Sequence, residues 1–215
     1  MGDLFLGAIM AIKKSIDYNK VFLTELDREI GDSDHGINMA RGFEAVANKL
    51  STEPQPDLAA GLKKIGMTLL STVGGASGPL YGTAFMRAAI PVLGKTEVNK
   101  ELAAEMLKAA IQGIKDRGKA VTGEKTMLDS LEPAYIAFVK GVEEDKGFLE
   151  CMELACSAAD EGVEYTKTIV AKKGRASYLG ERSLGHQDPG ATSVLLILRA
   201  LTDFYNEALK CPPLL

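Results

Sequence analysis

Apolar residues recur along this chain at the spacing of a helix face. Leu58, Leu62, Ile65, Leu69 and Val73 step by threes and fours, Leu102, Met106, Ala110 and Ile114 by fours, and Val194, Ile197, Leu201, Phe204 and Ala208 repeat the pattern. Such stepping lays one stripe along an α-helix. Strict polar–apolar alternation is hard to find and β-branched runs are absent, so the chain reads as all-α. Punctuation divides it into about eight helices. GDSDHG interrupts after the first helix, and EPQPD at 53–57 is a Pro-containing loop with Asp57 as N-cap of the next. GGASG at 74–78 ends a third helix, and Pro79 suits the first turn of a fourth. TEVN leads into a helix from Asn99, and DRGKAVTGEK at 116–125 is a long loop. Pro133 falls in the first turns of the following helix or kinks it. A helix from Phe148 is expected to reach Ala171, before a long polar loop, KKGRASYLGERSLGHQDPG, and a last helix.

Short links between successive helices favour antiparallel neighbours, hence an up-and-down bundle. The last helix opens on ATSVLLIL, apolar on nearly every side, which suits a central position. No composition shift marks a boundary, so residues 1–215 are expected to form a single domain.

Composition adds exclusions. At 46% hydrophobic and 25% charged, the chain is ordinary globular material, with a net charge of −4 and no basic run that would neutralise nucleic-acid phosphates. It has no Trp, so base-stacking platforms are not expected. Cys151, Cys156 and Cys211 have no metal-binding spacing and read as buried thiols of a reducing compartment. The start, MGDLFLGAIMAIKK, carries Asp3 where a signal peptide would carry Lys or Arg, and reads as the first helix. The longest apolar run, VLLIL, is too short to span a bilayer. A cytoplasmic protein with no membrane or nucleic-acid partner is expected.

The stretch LDREIGDSDHGINMARG packs Asp27, Asp32 and Asp34 into eight positions. Alone, three carboxylates read as a solvated loop. Glycine at the fifth position and Phe43 at the twelfth rule out an EF-hand. Four glycine-bearing polar loops, EIGDSDHGIN, TVGGASGP, DRGKAVTGEKTM and GRASYLGERSLGHQDPG, each precede a helix. Gathered at one end of a bundle, their backbone N–H groups make an anion site. Carboxylates in a phosphate site make sense only with cations between them, and Mg²⁺ is typically held by carboxylates plus substrate phosphates. GKAVTGEKT is not a Walker loop, because Glu124 precedes the lysine and a helix precedes the loop. The two histidines, His35 and His186, both lie in these loops, His186 being a candidate phosphoryl carrier. Arg175, Arg182, Lys119 and Lys125 read as exposed charges, of which one or two could neutralise transferring oxygens.

GDSDHGINM, GGASGPLYG, DRGKAVTGEKTMLD and GRASYLGERSLGHQDPGA resemble, in that order and across nearly the whole chain, the nucleotide-binding L subunits of bacterial dihydroxyacetone kinases. The resemblance implies an eight-helix antiparallel barrel with the nucleotide at one end. It matches Asp27, Asp32 and Asp34 to the aspartates that hold two Mg²⁺ ions against the diphosphate of tightly bound ADP. His35, Gly36, Ile37 and Asn38 match the nucleotide-contacting turn, and Ala76 and Ser77 the loop at the phosphates, hinged by Gly75 and Gly78. Gly118 and Met127 match positions near the adenine, Arg175 an arginine over the nucleotide, and Asp188, Pro189 and Gly190 the closing turn. Positioning and charge would fall to Arg175 and His35, with no certain catalytic residue. The implied activity is that of a phosphotransferase-system-dependent kinase subunit. Its ADP is phosphorylated in place by a phosphohistidine M subunit, and the ATP formed phosphorylates dihydroxyacetone on a K subunit. A length without room for a fused substrate domain favours this branch. A kinase subunit for another small ketose or triol, and a nucleotide-state sensor that binds a transcription regulator, are the rival readings. A homodimer is a further candidate assembly.

Overall fold

A computed structural model describes residues 2–53, 55–95 and 97–210, with side chains from residue 4 onward. Among the described residues all regular structure is helical: α1 (Gly2–Tyr18), α2 (Lys20–Ile30), α3 (His35–Thr52), α4 (Leu58–Thr72), α5 (Ser77–Ala88), α6 (Lys100–Gly118), α7 (Leu128–Glu143), α8 (Phe148–Thr166), a 3₁₀ segment (Arg175–Ser183) and α9 (Pro189–Lys210). The expected caps are in place. The Asp57 carboxylate accepts the Ala60 N–H at 2.7 Å, and the Asn99 side chain accepts the Leu102 N–H at 2.9 Å. Pro133 sits inside α7.

Three boundaries differ from the sequence reading. The first helix is broken at Asn19, whose side-chain amide donates to the Ser15 carbonyl at 2.8 Å beside its own backbone N–H at 3.1 Å. Asn competes locally with the helix ladder in this way. The segment DRG belongs to the last turn of α6, so the following loop is shorter than expected. α8 ends at Thr166, short of Ala171, because its last hydroxyl turns back to the Val163 carbonyl at 2.6 Å and accepts the Asp188 N–H at 3.0 Å. Cys151 is buried and Cys156 half-buried, while Cys211 lies outside the described residues.

The packing pairs run α1–α3–α4–α5–α6–α7–α8–α9 and back to α1, so eight helices close a ring. α2 prolongs the first helix beyond its break and lies on α3 and α9. α9 is therefore one stave of the ring and not its centre. It is sealed almost all round only at its start, where Pro189, Ala191, Thr192, Ser193, Val194 and Leu195 are buried. The interior is filled by one apolar cluster that includes Ile12, Ile16, Phe43, Ile65, Leu69, Ile114 and Leu128, all nearly inaccessible. A second cluster joins α7, α8 and α9 through Phe138, Cys151, Ala155 and Leu195. No helix among the described residues is long and apolar enough to cross a membrane. An up-and-down ring places alternate helix starts at the same end, and here those of α3, α5, α7 and α9 border one cleft.

Candidate functional site

The cleft has a volume of about 390 Å³. Its wall takes Asp27 from α2, Asp34 and His35 from the start of α3, Ser77 from that of α5, Met127 from just before α7, and Pro189 from that of α9. Helix starts present unpaired N–H groups and the positive end of the helix dipole, a setting for anions.

Against that positive rim stand three carboxylates. One oxygen from each of Asp27, Asp32 and Asp34 lies within 4.8 Å of the other two. At an effective dielectric near 20, each pair repels by at least roughly 3 kcal/mol. Only part of this is offset within the chain. One Asp27 oxygen accepts the N–H groups of Asp34 at 2.8 Å and His35 at 3.1 Å. Asp32 is ion-paired with Arg175, whose Nε lies 2.8 Å from Asp32 Oδ2. Asp34 stands at the cap position of α3 but caps nothing with its side chain. A set of oxygen donors with free lone pairs and uncompensated charge fits a hard divalent cation such as Mg²⁺.

Arg175 reaches Asp32 because an apolar contact anchors its segment. Ile30 at the end of α2 packs with Ala171 and Ala176, and Leu179 covers them. Lys172 N–H donates to the Glu124 carbonyl at 3.0 Å, and Gly185 N–H to that of Lys167 at 2.8 Å. The polar loop expected between the last two helices is thus pinned at both ends and laid over the cleft.

His35 is 7% exposed. Its Nε2 lies 2.9 Å from Ser193 Oγ and its Nδ1 3.1 Å from Ser77 Oγ. Burial holds its pKa down at about 4, against the opposing pull of the Asp27 and Asp34 carboxylates and of the Pro189 backbone. The imidazole is neutral near pH 7 and both nitrogens are engaged. It positions neighbours, so the expected charge role falls to Arg175 alone. Ser193 Oγ also meets Tyr81 Oη at 2.7 Å, and burial pushes the Tyr81 phenol well above its ordinary value.

A second polar group includes Lys125 and Asp188, both of which line the cleft. Lys125 is expected at the surface but is 1% exposed. Its ammonium donates to the carbonyls of Thr166 and His186, which tie α8 to the start of α9. Burial lowers its pKa, opposed by Asp188 and Asp129. Asp129 accepts the Thr126 N–H at 2.7 Å, and Asp188 accepts the Ala191 N–H at 2.7 Å as the cap of α9. Burial raises the Asp188 pKa to about 7; the Ala191 N–H and Lys125 oppose that rise, while Asp129 and Asp27 add to it.

Of the residues singled out from sequence, Asp27, Asp32, Asp34, His35, Asn38, Ala76, Ser77, Gly118, Met127, Arg175, Asp188, Pro189 and Gly190 all line this cleft. Gly36 and Ile37 do not. A Cβ on Gly36 would fall 2.0 Å from the Lys20 carbonyl, so this glycine lets α3 start against α2. Ile37 is 44% exposed. His186 stays outside the cleft lining, and Lys119 and Arg182 are exposed. Asn38 is buried and accepts from Arg41 at 2.6 Å, while Arg41 Nε–H donates to the Thr72 carbonyl at 2.9 Å, tying α3 to the end of α4.

Sequence reasoning missed Tyr81, Ser193 and Asp129, and it placed Lys125, a lining residue, at the surface. For Tyr81 there was a signal: it follows Ser77 by four residues, one helical turn on the same face. Ser193 likewise falls one turn after Pro189 and Gly190. Nothing in the sequence distinguishes Lys125 from a surface lysine.

Comparison with known proteins supplies a family for this geometry. The DAK2 domain model matches residues 29–203. The chain is similar to the ADP-binding subunit DhaL of the PEP-dependent dihydroxyacetone kinase of Escherichia coli K12, with 48% identity over 180 residues, 84% of this chain and 86% of that one. It is also similar to the ADP-binding subunit DhaL of PEP-dependent dihydroxyacetone kinase 1 of Listeria innocua, with 45% identity over 187 residues, 86% and 88% of the two chains. Among solved structures, the dihydroxyacetone kinase of C. freundii in complex with AMP-PNP and Mg²⁺ superposes with a TM-score of 0.72 at 26% identity, covering 92% of this chain and 33% of that one.

Proposed function

This chain belongs to the DAK2-domain family, and on that premise we propose that it is the ADP-binding subunit of a phosphoenolpyruvate-dependent dihydroxyacetone kinase. The observation that carries the proposal is the meeting of Asp27, Asp32 and Asp34 with the starts of α3, α5 and α9 in one cleft. Acidic and anion-seeking groups satisfy each other there only through a metal-bound phosphate. The names of the relatives supply the nucleotide, ADP, and the AMP-PNP and Mg²⁺ of the C. freundii complex support the same chemistry.

In this reading Asp27, Asp32 and Asp34 hold two Mg²⁺ ions. When bound, these neutralise charge on the phosphoryl oxygens as it redistributes. Backbone N–H groups at Ala76 and Ser77 orient the diphosphate. Gly118 and Met127 flank the base, and Asp188, Pro189 and Gly190 close the far wall. Arg175 exchanges its partner Asp32 for the nucleotide. No side chain serves as general base, in keeping with a reaction that asks mainly for positioning and charge. The subunit is cytoplasmic, one domain over residues 1–215, and works between a phosphohistidine-carrying M subunit and a dihydroxyacetone-binding K subunit.

Purified protein is expected to retain ADP through gel filtration and to release it only on denaturation. With phosphoenolpyruvate, the phosphotransferase proteins and both partner subunits, it should form dihydroxyacetone phosphate at ADP levels far below product. A requirement for one ATP per product would contradict the proposal.

A further inference from the structure

Two neighbouring residues, Glu124 and Lys125, support the long segment between the end of α8 and the start of α9. Both sit in one tight turn. Gly123 and Lys125 have left-handed backbones there, with φ of 89° and 60°. The Asp129 carboxylate holds the turn by accepting the N–H groups of Gly123 and Thr126. A left-handed backbone is costly for a lysine, and this one turns its side chain inward.

Lys125 lines the cleft, yet its ammonium is committed to backbone. An ammonium has three protons. They meet three carbonyls: Thr166 at the last turn of α8, His186 two residues before Asp188 and, more distantly, Ile169 at 3.4 Å. Carbonyls at the end of a helix lack a partner within it and carry the negative end of its dipole, which suits a cation. Thr166 and His186 are the two feet of the segment, and Gly185 N–H adds a bond to the Lys167 carbonyl at 2.8 Å. Residues 167–186 are thus a loop closed at its neck, with the Lys125 ammonium in the neck.

That loop brings Lys173, Gly174, Arg175 and Ala176 to the cleft. Its other ties are the Lys172 N–H to the Glu124 carbonyl at 3.0 Å, a Lys173–Glu124 ion pair at 3.9 Å, the Arg175–Asp32 ion pair and the packing of Ala171 and Ala176 on Ile30. The start of α9 has bonds of its own: Asp188 N–H to Thr166 Oγ1, Ala191 N–H to the Asp188 carboxylate, and the Gln187 amide to Thr192 Oγ1 at 2.8 Å. Loss of the ammonium therefore frees the loop before it frees α9.

We infer that Lys125 is a positioning residue: by drawing the Thr166, Ile169 and His186 carbonyls together it closes the neck of loop 167–186, holds Arg175 over the cleft and prolongs the stay of the bound nucleotide. This rests on the proposed nucleotide site. Lys125 acts on the nucleotide through Arg175.

The test follows release of labelled ADP from full-length protein loaded with Mg²⁺. Lys125→Met keeps an unbranched stem and removes the ammonium. It should speed release about tenfold, as for the loss of a charge-assisted contact, and Arg175→Ala should do the same. The double variant should release ADP no faster than Arg175→Ala alone. A spectroscopic readout accompanies the kinetics. The Arg175 Nε–H resonance of ¹⁵N-labelled protein, assigned by its loss in Arg175→Ala, should move to the position of solvent-exposed arginines in Lys125→Met. A merely structural lysine would lower the melting temperature and speed release equally with and without the Arg175 side chain. If Lys125→Met does not fold, Ser183→Ala loosens the same loop and leaves the ammonium in place, because Ser183 Oγ accepts the Ala171 N–H at 2.9 Å and donates to the Gly180 carbonyl at 2.6 Å. The same pattern of release rates is expected of it. Release at the wild-type rate in the variant tested, or a speeding undiminished in the Arg175→Ala background, would overturn the inference. Failure of the wild type to bind Mg²⁺ and ADP at all would strike the proposed function instead.

Discussion

Asp27 and Asp34 belong to the same carboxylate cluster, yet only Asp27 is tied to the backbone. Its carboxylate closes the turn by accepting two N–H groups, whereas that of Asp34 is free. The two should separate experimentally. In the absence of metal and nucleotide, Asp27→Ala orphans two backbone donors and should cost on the order of 2 kcal/mol in urea unfolding. Asp34→Ala should stay within about 0.5 kcal/mol of wild type. With Mg²⁺ and ADP added, both variants should lose the ligand-dependent rise in melting temperature that wild type shows. Asp188 makes a prediction about pH. Burial lifts its carboxyl from the ordinary 3.8 to about 7, against Lys125 and with Asp129 and Asp27 nearby. Between those values the folded chain holds a proton that the unfolded chain has lost. The stability from this group is therefore full at low pH, falls as pH rises through that window, and levels off above about 7. Relative to Asp188→Asn, the ligand-free wild type should lose stability from pH 5 to pH 8, by at most on the order of 3 kcal/mol. A difference in melting temperature that stays flat with pH would count against a buried, protonated Asp188. At this scale the sequence showed what lies close along it. Three aspartates in eight positions and a histidine beside them were legible. The depth of Lys125 and Asp129 was not, because a salt-forming side chain reads as exposed until the elements that cover it are known.

Among the elements, α4 and α5 matter most to the cleft, since the glycine-rich turn between them carries Ala76 and Ser77. Their backbones approach closely: a Cβ on Gly82 would lie 2.8 Å from the Gly66 carbonyl, and one on Gly66 2.6 Å from that of Gly82. Gly82→Ala must push the two helices apart. It should destabilise the protein by about 1–3 kcal/mol and also speed ADP release, because the start of α5 moves with the helix. Retention of wild-type release kinetics alongside the stability loss would show that the turn is insulated from the crossing. Helical periodicity located α4, α6 and α9, and Asp57 and Asn99 marked two starts correctly. The break at Asn19 was hidden because no glycine or proline stands there and the hydrogen bonds across it nearly continue. The end of α8 was overrun because Ile169, Val170 and Ala171 extend an apolar run, although Ala171 packs under α2 and not along α8.

The whole molecule explains why the cleft lies at an end of the ring. The closed antiparallel ring brings the starts of α3, α5, α7 and α9 together without long connections, and its filled interior leaves the mouth as the place for a ligand. Chain pattern and short links gave antiparallel helices. Closure between α1 and α9, the first and last staves, could not be read from local pattern, since it depends on the total turn accumulated around eight packings. The same closure sets Arg175, Asp188 and Pro189, far along the chain, against Asp27 and Asp34. Nucleotide binding at this mouth therefore turns on whether it holds metal. Crystals grown with ADP and Mn²⁺ in place of Mg²⁺ should show anomalous density at two positions within bonding reach of the Asp27, Asp32 and Asp34 carboxylates, bridging to phosphate. Bound nucleotide with no anomalous density among those three side chains would contradict it.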